Sequence, residues 1–247
     1  MQTTAPAPSP ASTTSPTALS RDPRARELCR TMAAIHRRGW CDGTGGNFSV
    51  VLERSPGLTL LMAPSGVDKG SVRPSQLILV SEAGEVIGGD GRVSAEMPLH
   101  RAIVIATGAG AVLHTHSQAA TLLSRQTLAV AAGPAREALE GAAPRPAAAG
   151  HLCIEGLEML KGLEGIHTHD CQIRIPVLAN DQDLIRLSDA AQPHLKAAPQ
   201  GLLIAGHGLY AWGRDLEQAR RHLEILEFLL EQTWRQRLLE AIGRGLT

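Results

Sequence analysis

Ala111-Val112-Leu113-His114-Thr115-His116-Ser117 runs from three apolar residues into two histidines separated by one residue. Gly110–His114 reads as a short buried strand, and Ser117–Arg125 as a helix behind it. On a strand, residues i and i+2 point to one face, so the two imidazoles project together, about 6.5–7 Å apart at Cα. That separation suits two ligands of one metal ion, with Zn–N near 2.0–2.1 Å. A catalytic zinc needs a third protein ligand and an open position. His207, in Leu202-Leu203-Ile204-Ala205-Gly206-His207-Gly208, is the best candidate. It too leaves an apolar strand, and its flanking glycines let the backbone turn tightly beside an ion. Alone, a His-x-His pair is more often a solvated or core pair than a metal site; the second strand-end histidine is what turns the reading toward metal.

Outward from this stretch, helices and strands alternate irregularly. A helix starts at Asp22-Pro23, with Leu28, Met32 and Ile35 at helical spacing and Gly39 as its stop. Phe48–Glu53 and Leu58–Ala63 read as strands joined through Ser55-Pro56-Gly57, and Leu77–Val80 and Glu85–Ile87 as a shorter pair around Ala83-Gly84. Further helices are expected over Glu96–Thr107, with Ser94 as cap, over Ile154–Leu163, and after Asn180-Asp181. Gln172–Leu178 and Gly201–Ala205 read as strands. Asp215–Ile242 carries Leu216, Ala219, Leu223, Leu226, Leu230 and Trp234 along one helical stripe. The pattern predicts one α/β domain over 21–247 in three layers: a largely antiparallel central sheet covered by helices on both faces. Residues 1–20, almost all Ala, Pro, Ser or Thr, read as a disordered tail. Sixteen of the twenty-five residues of Gln126–Gly150 are Ala, Gly or Pro, so that segment reads as an insertion outside the core.

Composition narrows the function. Among 247 residues, 43% are hydrophobic and 19% charged, which suits a soluble domain with a sizeable core. Lys+Arg and Asp+Glu are both 24, which removes the usual electrostatic case for nucleic acid or an anionic membrane surface. No apolar run approaches the roughly 18 residues of a membrane span. The N-terminus lacks the charged and apolar regions of a secretory signal. Arg21, Arg24 and Arg26 after an acid-free stretch leave a transit peptide as an alternative to a cytoplasmic protein. Cys29, Cys41, Cys153 and Cys171 are scattered, with no Cys-x-x-Cys.

Other residues could carry chemistry. His167-Thr168-His169 repeats the His-x-His spacing, but it precedes a strand among polar residues and reads as a solvated connection. Two glutamates could serve acid–base chemistry. Glu96, at the start of a helix, is on local grounds a dipole-stabilising residue. Glu158 is on local grounds the partner of Lys161 at i+3. Three turns could hold an anion through N–H groups and hydroxyls, without needing a lysine: Asp42-Gly43-Thr44-Gly45-Gly46-Asn47, Ala63-Pro64-Ser65-Gly66 and Ser94-Ala95. None matches a P-loop or a Rossmann fingerprint.

In order along the chain, Gly46-Asn47-Phe48-Ser49, Pro64-Ser65-Gly66, Ser94-Ala95-Glu96, His114-Thr115-His116-Ser117 and Gly206-His207-Gly208 resemble the class II aldolase/adducin superfamily of zinc-dependent sugar-phosphate enzymes. The likeness spans about Thr31 to Trp234. Met62–Val67, Glu158–Leu163, Asn180–Asp183 and Leu203–Gly213 are most similar to the dehydratase branch that serves methionine salvage. The resemblance implies one zinc per subunit on His114, His116 and His207. It implies phosphate binding around Gly46, Asn47, Ser65, Gly66 and Ser94. Glu158 becomes the acid/base, with Glu96 at the position that does this work in the aldolases. Gly45 stands where relatives often carry serine, which costs the phosphate loop a hydroxyl. The implied substrate is a small phosphorylated ketose that loses water. An aldolase or pentulose-phosphate 4-epimerase using Glu96 is the alternative, and an adducin-like binding module the alternative of another class. Relatives of this fold often form homotetramers with active sites near subunit boundaries, so a homotetramer is implied.

Overall fold

The computed structural model describes residues 16–132 and 149–245. Its frame is a nine-stranded sheet built from β1 (Asn47–Glu53), β2 (Thr59–Met62), β3 (Ile78–Ser81), β4 (Val86–Gly88), β5 (Ala111–Thr115), β6 (Ala149–Glu155), β7 (Gln172–Leu178), β8 (Gly201–Ile204) and β9 (Gly208–Gly213). The strand order is β4-β3-β2-β1-β5-β9-β8-β7-β6. Every neighbouring pair is antiparallel except β7 and β8.

Helices cover both faces, as the alternation of apolar side chains requires. On one face α3 (Met97–Thr107) and α5 (Leu184–Leu195) bring Leu99, Ile103, Leu187 and Leu195 onto Val112, Leu202 and Tyr210. On the other, α2 (Pro23–Arg37), α4 (Gln118–Ala132) and α6 (Leu216–Gly245) bring Leu28, Met32, Leu123, Leu223 and Leu226 onto Leu113, Leu203 and Ala211. Asp22 caps α2 by accepting from the Arg24 N–H at 2.8 Å, with Pro23 in the first turn. Asp183 caps α5 by accepting from the N–H groups of Ile185 and Arg186. Asp22 is where the sequence places the start of its helix, while α5 starts three residues after the expected Asn180-Asp181.

Several expectations change. Residues 1–15 of the expected tail lie outside the described residues. Pro16–Arg21, the end of the expected tail, form the short helix α1, with Leu19 buried in the main core. Of the alanine-rich segment, 133–148 lie outside the described residues. Its first part extends α4 to Ala132, because alanine is the strongest helix former. The helix expected over Ile154–Leu163 is instead strand β6 followed by a 3-10 turn, Glu158–Gly162. Ile154 pairs with Ile173 and Leu152 with Ile175, so the period is two, with Leu152 and Ile154 inward.

α6 is bound to the His-x-His strand by a buried carboxylate. Thr115 faces α6 and donates from Oγ1 to Glu227 Oε1 at 2.5 Å, and the Ser117 hydroxyl bonds the same group. Burial pushes the Glu227 carboxyl up to about 7; these hydroxyls oppose that and the Glu231 charge adds to it. The folded chain therefore binds a proton here more tightly than the unfolded chain, whose carboxyl keeps its ordinary value of 4.5. The associated stability is full below that value and lost as pH rises toward about 7. Urea denaturation across this interval should show wild type losing stability relative to Glu227→Gln. Parallel curves would contradict the assignment.

Candidate metal centre and phosphate cavity

β5 lies at the centre of the sheet, with Asn47 of β1 and Tyr210 of β9 on either side of His114. His114 and His116 point to the face covered by α3, opposite Thr115. His207 sits in the tight connection between β8 and β9. Gly208 makes this possible: a Cβ there would stand 2.0 Å from the Thr115 carbonyl oxygen, so only glycine lets that turn close against β5.

Three imidazole nitrogens meet at this point. His114 Nε2 is 2.8 Å from His116 Nε2 and 3.3 Å from His207 Nε2. Glu96, the residue before α3, turns its carboxylate inward, with Oε1 2.9 Å from His207 Nε2 and 3.5 Å from His114 Nε2. Two donors each about 2.0–2.1 Å from a tetrahedral ion stand roughly 3.3 Å apart, and these spacings bracket that value. One donor atom from each of the four residues lies within 4.8 Å of the others, a group that could hold a metal ion.

The surroundings prepare these ligands. His114 is fully buried and its Nδ1 is 2.9 Å from the Leu209 carbonyl, to which it donates, leaving the Nε2 lone pair facing the cluster. Its ring stacks on Tyr210 at 3.9 Å between centroids. Burial first, then the charges of His114 and His207, pushes His116 down to about 4, which keeps the imidazole neutral. Burial would raise the Glu96 carboxyl, but the charges and hydrogen bonds of His114 and His207 outweigh it and hold the group well below the carboxylate range. Asn47 Nδ2 donates to Glu96 Oε2. Behind them, burial and then His114 lower His100 to about 3, and its Nδ1 meets Ser49 Oγ at 2.7 Å.

The cluster opens into a cavity of about 730 Å³. Its wall contains every anion-binding residue expected from the sequence: Gly46, Asn47, Ser65, Gly66 and Ser94, together with Glu96, His116 and His207. Ser94 Oγ accepts from the Glu96 N–H at 3.2 Å, so the same serine that faces the cavity sets the carboxylate's backbone. Gly45 clears space: a Cβ there would lie 2.9 Å from His116 Nδ1. The missing hydroxyl is thus matched by closer packing against the His116 ring.

Sequence reasoning missed Lys69 and Arg92, which also line this wall. Both lie close in sequence to expected anion-binding residues, three positions after Gly66 and two before Ser94. Glu158 is not brought to the cavity of its own chain. It is exposed on the 3-10 turn, paired with Lys161 and 3.6 Å from His169 Nδ1, and the Lys161 hydrogen bond lowers its carboxyl. The second His-x-His pair stays at that surface; among the described residues only the group around His114 assembles.

A family model described as the Class II Aldolase and Adducin N-terminal domain matches residues 26–234. The chain belongs to the class II aldolase and adducin family. Within it, the methylthioribulose-1-phosphate dehydratase of Serratia proteamaculans is 40% identical over 222 residues, covering 87% of this chain and 98% of that one. The protein of the same name from Pseudomonas syringae pv. tomato is 36% identical over 216 residues, covering 86% and 95%. The crystal structure of l-fuculose-1-phosphate aldolase from Thermus thermophilus shares the fold with a TM-score of 0.65 at 23% identity, over 88% of this chain and 97% of that one.

In this family member the half-buried His207 can be removed with less damage to packing than His114. His207→Ala should keep the circular dichroism of wild type and lose most of its bound divalent metal under chelator competition, at least about tenfold in affinity. Undiminished metal retention would show that the cluster is not the binding site.

Proposed function

We propose that the protein is a zinc-dependent hydro-lyase that converts 5-methylthioribulose 1-phosphate into 2,3-diketo-5-methylthiopentyl 1-phosphate in methionine salvage. The observation that carries this reading is the junction of a three-histidine, one-carboxylate cluster with a cavity walled by the glycine and serine turns. The names and near full-length coverage of the relatives support the substrate.

His114, His116 and His207 would hold the zinc, one per subunit. A bound zinc supplies Lewis acidity to the ketose carbonyl and so favours loss of the neighbouring C3 proton. The chain's residues do the rest. N–H groups and hydroxyls at Gly46, Asn47, Ser65, Gly66 and Ser94 bind the phosphate and fix the sugar's register over the cluster. Removal of the C3 proton and departure of the C4 hydroxyl as water need a carboxyl group on the substrate's open side. Glu158 has that role in this reading. Because it is exposed and paired with Lys161 on its own chain, it acts on the cavity of a neighbouring copy in a homo-oligomer, for which a tetramer is proposed. No helix among the described residues is long and apolar enough to cross a membrane. The four free cysteines suit a reducing compartment, so we place the enzyme in the cytoplasm.

One observation favours a second reading. Glu96, not Glu158, is the carboxylate at the cluster, which is the arrangement an aldolase or 4-epimerase would use. The two readings separate by variants. Glu158→Gln should lower dehydration about 10²–10⁴-fold while metal stays bound. Mixing it with inactive His207→Ala chains under subunit exchange should restore part of the activity, because one interface then holds an intact histidine cluster and an intact Glu158. Full activity of Glu158→Gln, with retro-aldol cleavage abolished in Glu96→Gln, would move the function to the aldolases.

A further inference from the structure

Lys69 is a buried lysine whose hydrogen bonds go only to neutral carbonyl groups. The residue keeps 1% of its surface exposed. Its Nζ donates to the carbonyl oxygens of Thr44 and Val67, both at 2.9 Å, and forms no ion pair among the described residues. One of its three N–H groups is left over. The acidic groups near enough to act on it electrostatically are engaged elsewhere. Asp68 accepts from the Gly70 N–H and the Ser71 hydroxyl, both at 2.9 Å. Glu96 is held by Asn47 and His207.

A buried ammonium with neutral partners only is costly, because carbonyl dipoles replace hydration incompletely. Such a charge is retained where an anion arrives to complete it. Lys69 stands at such a place: it lines the cavity with Ser65, Gly66 and Ser94. Its two acceptors belong to different walls, Thr44 to the turn that leads into Asn47 and Val67 to the turn just after Ser65-Gly66. One ammonium therefore ties both anion-binding turns together. Arg92 is placed differently, exposed at the rim and reaching Ser65 Oγ at 3.4 Å.

We propose that Lys69 is the positioning residue of the phosphate site, setting the spacing of its two turns and supplying the fixed positive charge that selects a phosphate ester over the free ketose. The inference rests on the reading of this cavity as a phosphate site. It is tested with full-length, metal-loaded wild type, Lys69→Met and Lys69→Arg. Each is melted with and without inorganic phosphate against its own phosphate-free baseline, so that a general loss of stability does not imitate loss of binding. Wild type should be stabilised by phosphate and competitively inhibited by it. In Lys69→Met the phosphate-dependent shift should vanish and KM for the phosphorylated ketose rise about tenfold or more, with kcat less affected. Lys69→Arg should recover part of both. A Lys69→Met protein with the wild-type phosphate response would overturn the role of Lys69 alone. A wild type that ignores phosphate would overturn the phosphate reading of the cavity, and this inference with it.

Discussion

Four electron-pair donors packed into one small volume are the constraint around which this molecule is arranged. Three imidazole nitrogens and a carboxylate oxygen within 4.8 Å of one another repel unless a cation or a proton stands between them. The fold spends its most rigid parts on holding them. β5 is the fifth of nine strands, so His114 is held between β1 and β9, and His116 just past its end donates its N–H to the Trp40 carbonyl. The β8–β9 turn is pressed against β5 at a distance only Gly208 permits. The start of α3 delivers the carboxylate. The four side chains come from three places in the fold, β5 and its end, the β8–β9 connection and the start of α3, so the local arrangement depends on the packing of the sheet as a whole.

The two faces of β5 divide the work. One presents His114 and His116 to the cavity, backed by Tyr210, Ser49 and His100. The other presents Thr115 to Glu227, deep beneath α6. A strand pinned on its far side by a buried carboxylate has little freedom to rotate its ligands. The cavity's electrostatics follow a similar division. The histidine cluster concentrates acceptors, and the same cavity wall carries the glycine and serine turns and Lys69.

Much of this was legible in the chain, for identifiable reasons. The metal pair could be read because strand geometry turns a spacing of two into a shared face. His207 could be read because glycines on both sides mark a turn. The layer order followed from alternation in the strands and from the long stripe of α6. Other parts were misread where local chemistry competed with the pattern. Around Ile154, where a helix was expected over Ile154–Leu163, the apolar period is two, and the pairing of β6 with β7 decides it. Glu96 looked like a dipole-stabilising residue, and only the approach of β8–β9 turns it into part of the cluster. Lys69 could not be read at all, since nothing local says that its ammonium folds back onto Thr44 and Val67.

The most direct test joins metal content to turnover in one preparation. Elemental analysis of the purified protein should give about one zinc per chain. Phosphorus NMR should then show 5-methylthioribulose 1-phosphate passing to the diketo phosphate, and removing the metal should stop it. A protein that binds no metal at the histidine cluster, yet dehydrates this substrate at the same rate, would contradict the account at its centre.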